Sequence, residues 1–260
     1  MKIREAFGVA SNVCKPDFTV GIECEVEDLI PMHGSASGYW HKTEDGSLRN
    51  NGLEYVSAPM DKTLAKIQFD VLHNWLRYDS EDVRKRFSER TSIHVHVNCL
   101  ELETTQVRSI ILWYALFEPL FFKMVAIERA NNIHCVSLNQ THLSKHYTRP
   151  LQTMKQVWSK YTALNILPLS QYGTLEFRHM QGTDNQELFD EWLDTINNLW
   201  EFGKNNTITK ELIMNPETIV ESFKAIFKDS PQILKYQDQV PSLIEGSLID
   251  IKLSLLKGNT

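Results

Sequence analysis

The chain is poor in cysteine. Its 260 residues hold four, Cys14, Cys24, Cys99 and Cys135, and no two stand in a C-x-x-C pair. A disulfide framework and a thiolate zinc site are therefore not expected; the reading is reduced thiols in a cytoplasmic protein without a signal peptide. Basic charge is also scarce. The formal net charge is −6, which leaves no basic footprint for nucleic acid. There is no uninterrupted apolar run long enough to cross a membrane. Residues 110–127 come nearest, but Glu118, Pro119 and Lys123 break them, whereas a spanning helix needs about 20 mostly apolar residues. They read as a buried helix kinked or broken at Pro119, capped by Thr104 or Thr105. Internal repeats and low-complexity tracts are absent.

What the chain does have is 42% hydrophobic residues, enough for one large core. It also has several short segments that alternate. In residues 18–27, Phe18, Val20, Ile22, Cys24 and Val26 fall on one parity, and Thr19, Gly21, Glu23, Glu25 and Glu27 on the other. Strand side chains alternate between faces, so this is a strand with one buried side. Its polar side carries three glutamates about 7 Å apart. Such a row repels itself unless a cation meets it. Residues 52–57, 91–98 and 173–179 show the same division, and a further short strand is expected at 39–42. The polar sides carry Glu54, His94 and His96, and Glu176 and Arg178.

Between the strands, residues 61–76 show helical spacing behind an Asp61 cap, with Leu64, Ile67, Val71, Leu72 and Trp75 as the apolar stripe. Residues 184–187 open another helix that ends before Gly203. Residues 204–209 read as a linker. Helices follow from Pro216 and over 242–255. Residues 1–17 read as an arm, 151–161 as a short helix, and 129–150, with His134, His142 and His146, as a loop-rich lid that could shape an acceptor pocket.

If the strands form one antiparallel sheet backed by helices, the polar groups converge on the opposite, water-facing side. Carboxylates with imidazole and no thiolate suit Mg²⁺ or Mn²⁺ better than zinc. Arg178 among such groups suits an anion, for instance a transferring phosphoryl group. Taken singly, each feature has a plain alternative: surface glutamates, an exposed histidine pair, or a weak cross-strand ion pair.

The segments Gly21-Ile-Glu-Cys-Glu25, Asp45-Gly-Ser-Leu48, Gly52-Leu-Glu-Tyr-Val-Ser-Ala-Pro59, Ser92-Ile-His-Val-His-Val-Asn98 and Thr174-Leu-Glu-Phe-Arg178 with Gly182-Thr183 occur in that order. Together they resemble the amidoligase family, small carboxylate–amine ligases related to glutamine synthetase and glutamate–cysteine ligase. The resemblance runs over about residues 18–200.

It implies an α+β fold, a curved antiparallel sheet of the glutamine-synthetase catalytic type with helices on its convex face. Residues 1–203 would be the catalytic domain and 204–260 a helical extension packed on it. It also implies ATP with Mg²⁺ or Mn²⁺, and amide formation through an acyl phosphate. By position, Glu23, Glu176 and one histidine would hold one metal, with His94 the expected ligand. Glu25 and Glu54 would hold a second. Arg178, His96 and Asp45 would be catalytic, and Lys160, Arg129, His96 and Arg178 would meet nucleotide or substrate. The partners would be a small-molecule or peptide carboxylate and an amine. An oligomer and a monomer capped by the C-terminal helices are both compatible. Competing readings are a guanidino-type phosphotransferase, a metal-dependent hydrolase without nucleotide, and a non-catalytic relative.

Overall fold

The computed structural model describes residues 1–10, 17–29, 38–77 and 85–257. Cys14, Pro31, Gly34 and the charged stretch 78–84 lie outside them. The strands are β1 (Thr19–Val26), β2 (Trp40–Glu44), β3 (Leu53–Ser57), β4 (Met60–Asp61), β5 (Ser92–Asn98), β6 (Leu164–Asn165) and β7 (Thr174–Gln181). They form one sheet in the order β2-β3-β1-β5-β7-β6, with β4 paired to the end of β1. All these pairs are antiparallel and the sheet does not close on itself.

The alternation places one parity in the core. Val20, Ile22, Cys24 and Val26 of β1, Ile93, Val95 and Val97 of β5, and Leu175 and Phe177 of β7 are all buried. Helices cover that side: α1 (Ile3–Phe7) near the edge, α2 (Lys62–Leu76), α3 (Thr104–Phe121), α4 (Leu151–Val157) and α5 (Gln186–Asn205). Tyr114 and Phe121 of α3 meet Phe177 with ring centroids 5.9 and 6.4 Å apart, and Trp200 of α5 meets Phe18 at 5.7 Å. α3 is buried around almost its whole circumference, as a helix apolar on all sides must be. No helix among the described residues is long and apolar enough to cross a membrane.

Several local expectations change. Residues 3–7 form a helix rather than an arm, because Ile3 is buried and bonds the Leu102 carbonyl. The cap of α3 is Glu103, whose N–H donates to Gln106 Oε1 at 2.9 Å. The helix is not broken at Pro119; it ends two residues later and runs into a 3₁₀ turn. In α2, Leu72 is buried and Leu64 and Trp75 pack against the core as expected, but Ile67 and Val71 are exposed, and Ala65, Phe69 and Leu76 complete the inward face. Stacking of Phe69 on Phe189 at 3.9 Å turns the helix that way. Residues 129–150 are short 3₁₀ turns with Cys135, Leu138, Leu143 and Tyr147 buried among them, so their missing periodicity marks tight turns.

Gly203 does not end α5 but lies inside it, where a Cβ would come within 2.7 Å of Ile110 Cγ1 and 2.8 Å of Ile110 Cα. It is the point of closest approach between α3 and α5. Lys204 and Asn205 therefore continue the helix. After it come α6 (Lys210–Met214), α7 (Pro216–Ile226), α8 (Pro231–Leu234), α9 (Val240–Leu243) and α10 (Glu245–Lys257). Phe223 and Phe227 reach Phe117 and Phe121 of α3, so these helices share the core of the sheet.

Candidate active site

The strand register brings the polar parity together. Glu23 stands opposite His94, Gly21 opposite His96, Glu25 opposite Glu54, and His96 opposite Glu176. Directly paired residues have Cβ atoms about 5 Å apart, so six functional groups from four strands share one patch. A bulge between β5 and β7 adds one residue to β7 between Phe177 and Met180. It keeps Arg178 on the cleft side while His179 turns into the core beside Tyr114 and Trp192.

The patch is deeper than a solvent-facing sheet surface. Glu25, His94 and Glu176 are buried; beside them the segments 87–91, 126–134 and 160–161 wall a cleft of 970 Å³ whose lining takes in Glu25, Asp45 and Arg178 but not Glu23, Glu54, His94, His96 or Glu176. Glu25 Oε2 accepts both the N–H and the O–H of Ser92, at 2.8 and 2.7 Å. His94 is engaged at both ring nitrogens: Nε2 lies 2.8 Å from Ser92 Oγ, and Nδ1 lies 3.1 Å from Glu23 Oε2 and 3.5 Å from Glu176 Oε1. His96 has Nδ1 3.1 Å from Thr174 Oγ1 and Nε2 3.1 Å from Glu23 Oε1, the latter without the alignment of a hydrogen bond. Glu176 takes Asn165 Nδ2 on one oxygen at 2.6 Å and Arg178 Nη1 on the other. Arg178 Nε reaches the His134 carbonyl at 3.3 Å.

The electrostatics follow from crowding. Burial raises the Glu23 carboxyl, but the His94 hydrogen bond and the close His96 imidazole outweigh it and hold the group well below the usual range. Burial lowers His96, and its contact with Glu23 outweighs that and raises it. Glu54 sits among like charges. Burial, then the charges of Glu23, Glu25, Asp45 and Glu176, push it up to about 7.

Three sets of donor atoms each lie within 4.8 Å of one another: Glu23, His96 and Glu176; Glu23, Glu54 and His94; Glu25, Asp45 and Glu54. The first and third divide the patch into two carboxylate sets. His94, the expected ligand, shares the second set with Glu23 and Glu54 and has Nδ1 3.5 Å from Glu176 Oε1, while His96 shares the first with Glu23 and Glu176. His96 Nδ1 is held and its Nε2 is left to point inward, the arrangement expected of a ligating imidazole.

Lys160 is exposed at the cleft, with Nζ 4.9 Å from the Tyr161 ring. Arg129 also lines the cleft, yet it is buried and gives Nε and Nη2 to the His179 and Arg178 carbonyls at 2.8 and 2.6 Å. Two of its five N–H donors fix the bulge. Of the three histidines in 129–150, His134 alone lines the cleft.

Residues 53–200, more than half of the chain, match the sequence model of the family described as "Putative amidoligase enzyme". The chain belongs to the amidoligase family. The amidoligase match includes Glu54, His94, His96, Arg129, Lys160, Glu176 and Arg178, and it begins after Glu23, Glu25 and Asp45. Those three join the matched part through the β1–β3 and β1–β5 pairing and the β2–β3 turn. No curated protein matches the chain.

Sequence reasoning gave no role to Ser92, Asn165 or Thr174. Ser92 and Thr174 share the parity of His94 and Glu176, so alternation alone could have flagged them. Asn165 lies on a strand of two residues, too short to alternate.

Proposed function

We propose that this amidoligase joins a carboxylate to an amine at the expense of ATP, with Mg²⁺ or Mn²⁺, on a sheet of the glutamine-synthetase catalytic type. The single observation that carries the reading is the convergence of Glu23, His96 and Glu176 on one point, with the Arg178 guanidinium on Glu176 at its edge. The residues fit a hard divalent ion: the donors are oxygen and one nitrogen, His96 Nε2 lacks a hydrogen bond, and Glu54 has a carboxyl raised by like charges that a cation would relieve. Glu23, His96 and Glu176 would hold one ion, and Glu25, Glu54 and Asp45 a second. When bound, the ions would screen the phosphates and polarise the transferring group.

In this reading the chain's own residues do the remaining tasks. Arg178 leaves part of its contact with Glu176 to stabilise charge on the γ-phosphoryl group. A carboxylate oxygen attacks the γ-phosphorus and ADP departs, giving an acyl phosphate. The amine nitrogen then attacks the acyl carbon, phosphate departs, and the amine proton passes to the departing phosphate or to solvent. Lys160, exposed at the mouth, meets a phosphate or a substrate carboxylate. Ser92 holds Glu25 and His94, Thr174 orients His96, and Asn165 orients Glu176. Residues 1–203 carry this site and the helices after them brace α3 and α5.

The test is to incubate the protein with ATP, Mg²⁺ and pools of carboxylic acids in the presence of hydroxylamine. Hydroxamate formation matched by phosphate release supports an activated acyl group. Phosphate transfer to a guanidinium acceptor, or no ATP binding at all, contradicts the ligase reading.

A further inference from the structure

Glu118 is a fully buried carboxylate on α3 that does not line the cleft. Burying a carboxylate costs several kcal/mol unless its lone pairs are met, and apolar side chains often pack such positions at least as well. Here the acceptor capacity is met in full. Tyr114 Oη donates at 2.7 Å, Ser137 Oγ at 2.6 Å, and the N–H groups of Leu138 and Asn139 at 2.8 and 3.2 Å. The question is what this anchor holds.

Two hydrogen-bonded routes lead from it to Arg178. The first follows the backbone. Glu118 fixes residues 137–139. Just before them, Val136 N–H bonds the Tyr161 carbonyl at 2.7 Å, and Ala163 N–H bonds the Val136 carbonyl at 2.8 Å. Ala163 in turn accepts the Arg178 N–H at 2.9 Å. This added layer carries the His134 carbonyl that receives Arg178 Nε. Asn131, Ile133 and His134 are themselves exposed; that carbonyl is held from the near side by Asn132, which bonds the His134 N–H at 2.8 Å, and from the far side by buried Cys135 and the segment that Glu118 anchors. The second route runs through the core. Tyr114 Oη also lies 2.7 Å from His179 Nε2, and the His179 and Arg178 carbonyls are clamped by Arg129.

We propose that Glu118 is a positioning residue for the Arg178 guanidinium, acting through the 134–139 segment and through the Tyr114–His179 contact. The inference rests on the ligase reading only in treating Arg178 as the group that meets the reacting anion. A purely structural Glu118 would change stability and leave the Arg178 side chain where it is.

The deciding readout is the Nε–Hε resonance of Arg178 in ¹⁵N-labelled protein, identified by its loss in Arg178→Lys. In Glu118→Gln it shifts or broadens, and in Ser137→Ala it moves less in the same direction. In Leu72→Ala, a cavity variant in α2, it stays in place. Phosphate release with ATP, Mg²⁺ and hydroxylamine falls about 100-fold in Glu118→Gln, the size expected for a misplacement of about 1 Å. An unmoved resonance in folded Glu118→Gln, or an equal movement in Leu72→Ala, overturns the proposal. Should Glu118→Gln fail to fold, Ser137→Ala decides in both directions. A moved resonance in a protein whose wild type releases no phosphate upholds the positioning role and removes the ligase reading.

Discussion

His96 directs Nε2 to within 3.1 Å of Glu23 Oε1 across the β1–β5 pair. Thr174 Oγ1 sits 3.1 Å from the other nitrogen and sets the ring's orientation. Under the proposed function, that relationship prepares the imidazole as a ligand. Thr174→Val therefore weakens Mn²⁺ binding by about 10–100-fold without unfolding the protein, the usual cost of removing the partner of a ligating imidazole. Glu23→Gln weakens it further, and with Arg178→Ala abolishes ATP-dependent turnover. Mn²⁺ titration followed by electron paramagnetic resonance, with circular dichroism as the control for folding, checks each variant.

Glu54 makes the metal-free protein sensitive to alkali. Its carboxyl is raised to about 7 in the fold by burial and by the surrounding carboxylates, against about 4.3 in an unfolded chain. The stability it contributes is complete below pH 4 and is lost as pH rises through 7. After allowance for its partial exposure, the loss is on the order of 1–2 kcal/mol. Melting curves in EDTA should show Tm falling between pH 5 and 8. Glu54→Gln flattens that slope, and Mg²⁺ restores more stability at pH 8 than at pH 6.

His73 has the opposite sign. It is buried between Phe69 and Phe87, and neither ring nitrogen has a hydrogen-bond partner. Burial, and then Arg86, depress it to about 3. Its contribution is present above about pH 6.5 and is lost as pH falls toward 3. At pH 4 that amounts to about 3 kcal/mol. Urea unfolding at pH 7 and pH 4 should show His73→Phe losing less stability on acidification than the wild type by about that amount.

Gly203→Ala tests the α3–α5 contact. Alanine gains about 1 kcal/mol of helix propensity over glycine. Against that, its Cβ would overlap Ile110 side-chain and backbone atoms at 2.7 and 2.8 Å, and overpacking costs about 1–3 kcal/mol. A net loss in the urea midpoint is expected, and an increase would show that the helices separate freely.

The site was legible in the sequence to the extent that it lies on strands. Period-two alternation gave Glu23, Glu25, Glu54, His94, His96, Glu176 and Arg178 a common face before any pairing was known. Alternation could not say which histidine is which, because His94 and His96 share a parity. Their difference comes from Ser92 and Thr174 on either side, and from the register of β7. Arg129, expected from the resemblance to meet nucleotide or substrate, lines the cleft and also clamps the β-bulge, a use that leaves no trace in a one-dimensional pattern. Glu118 broke an apolar run and could be read only as an interruption, since its four donors come from a neighbouring turn and from a segment about 20 residues away. The inward face of α2 was legible in part: Leu64, Leu72 and Trp75 lie on it, while Ile67 and Val71 belong to an overlapping stripe of equal spacing that faces out.

The most direct test is anomalous diffraction from crystals soaked with Mn²⁺ and a non-hydrolysable ATP analogue. Manganese should appear between Glu23, His96 and Glu176, and again between Glu25, Glu54 and Asp45, with the γ-phosphate turned toward Arg178. Manganese confined to the protein surface, or nucleotide bound away from this patch, would contradict the account.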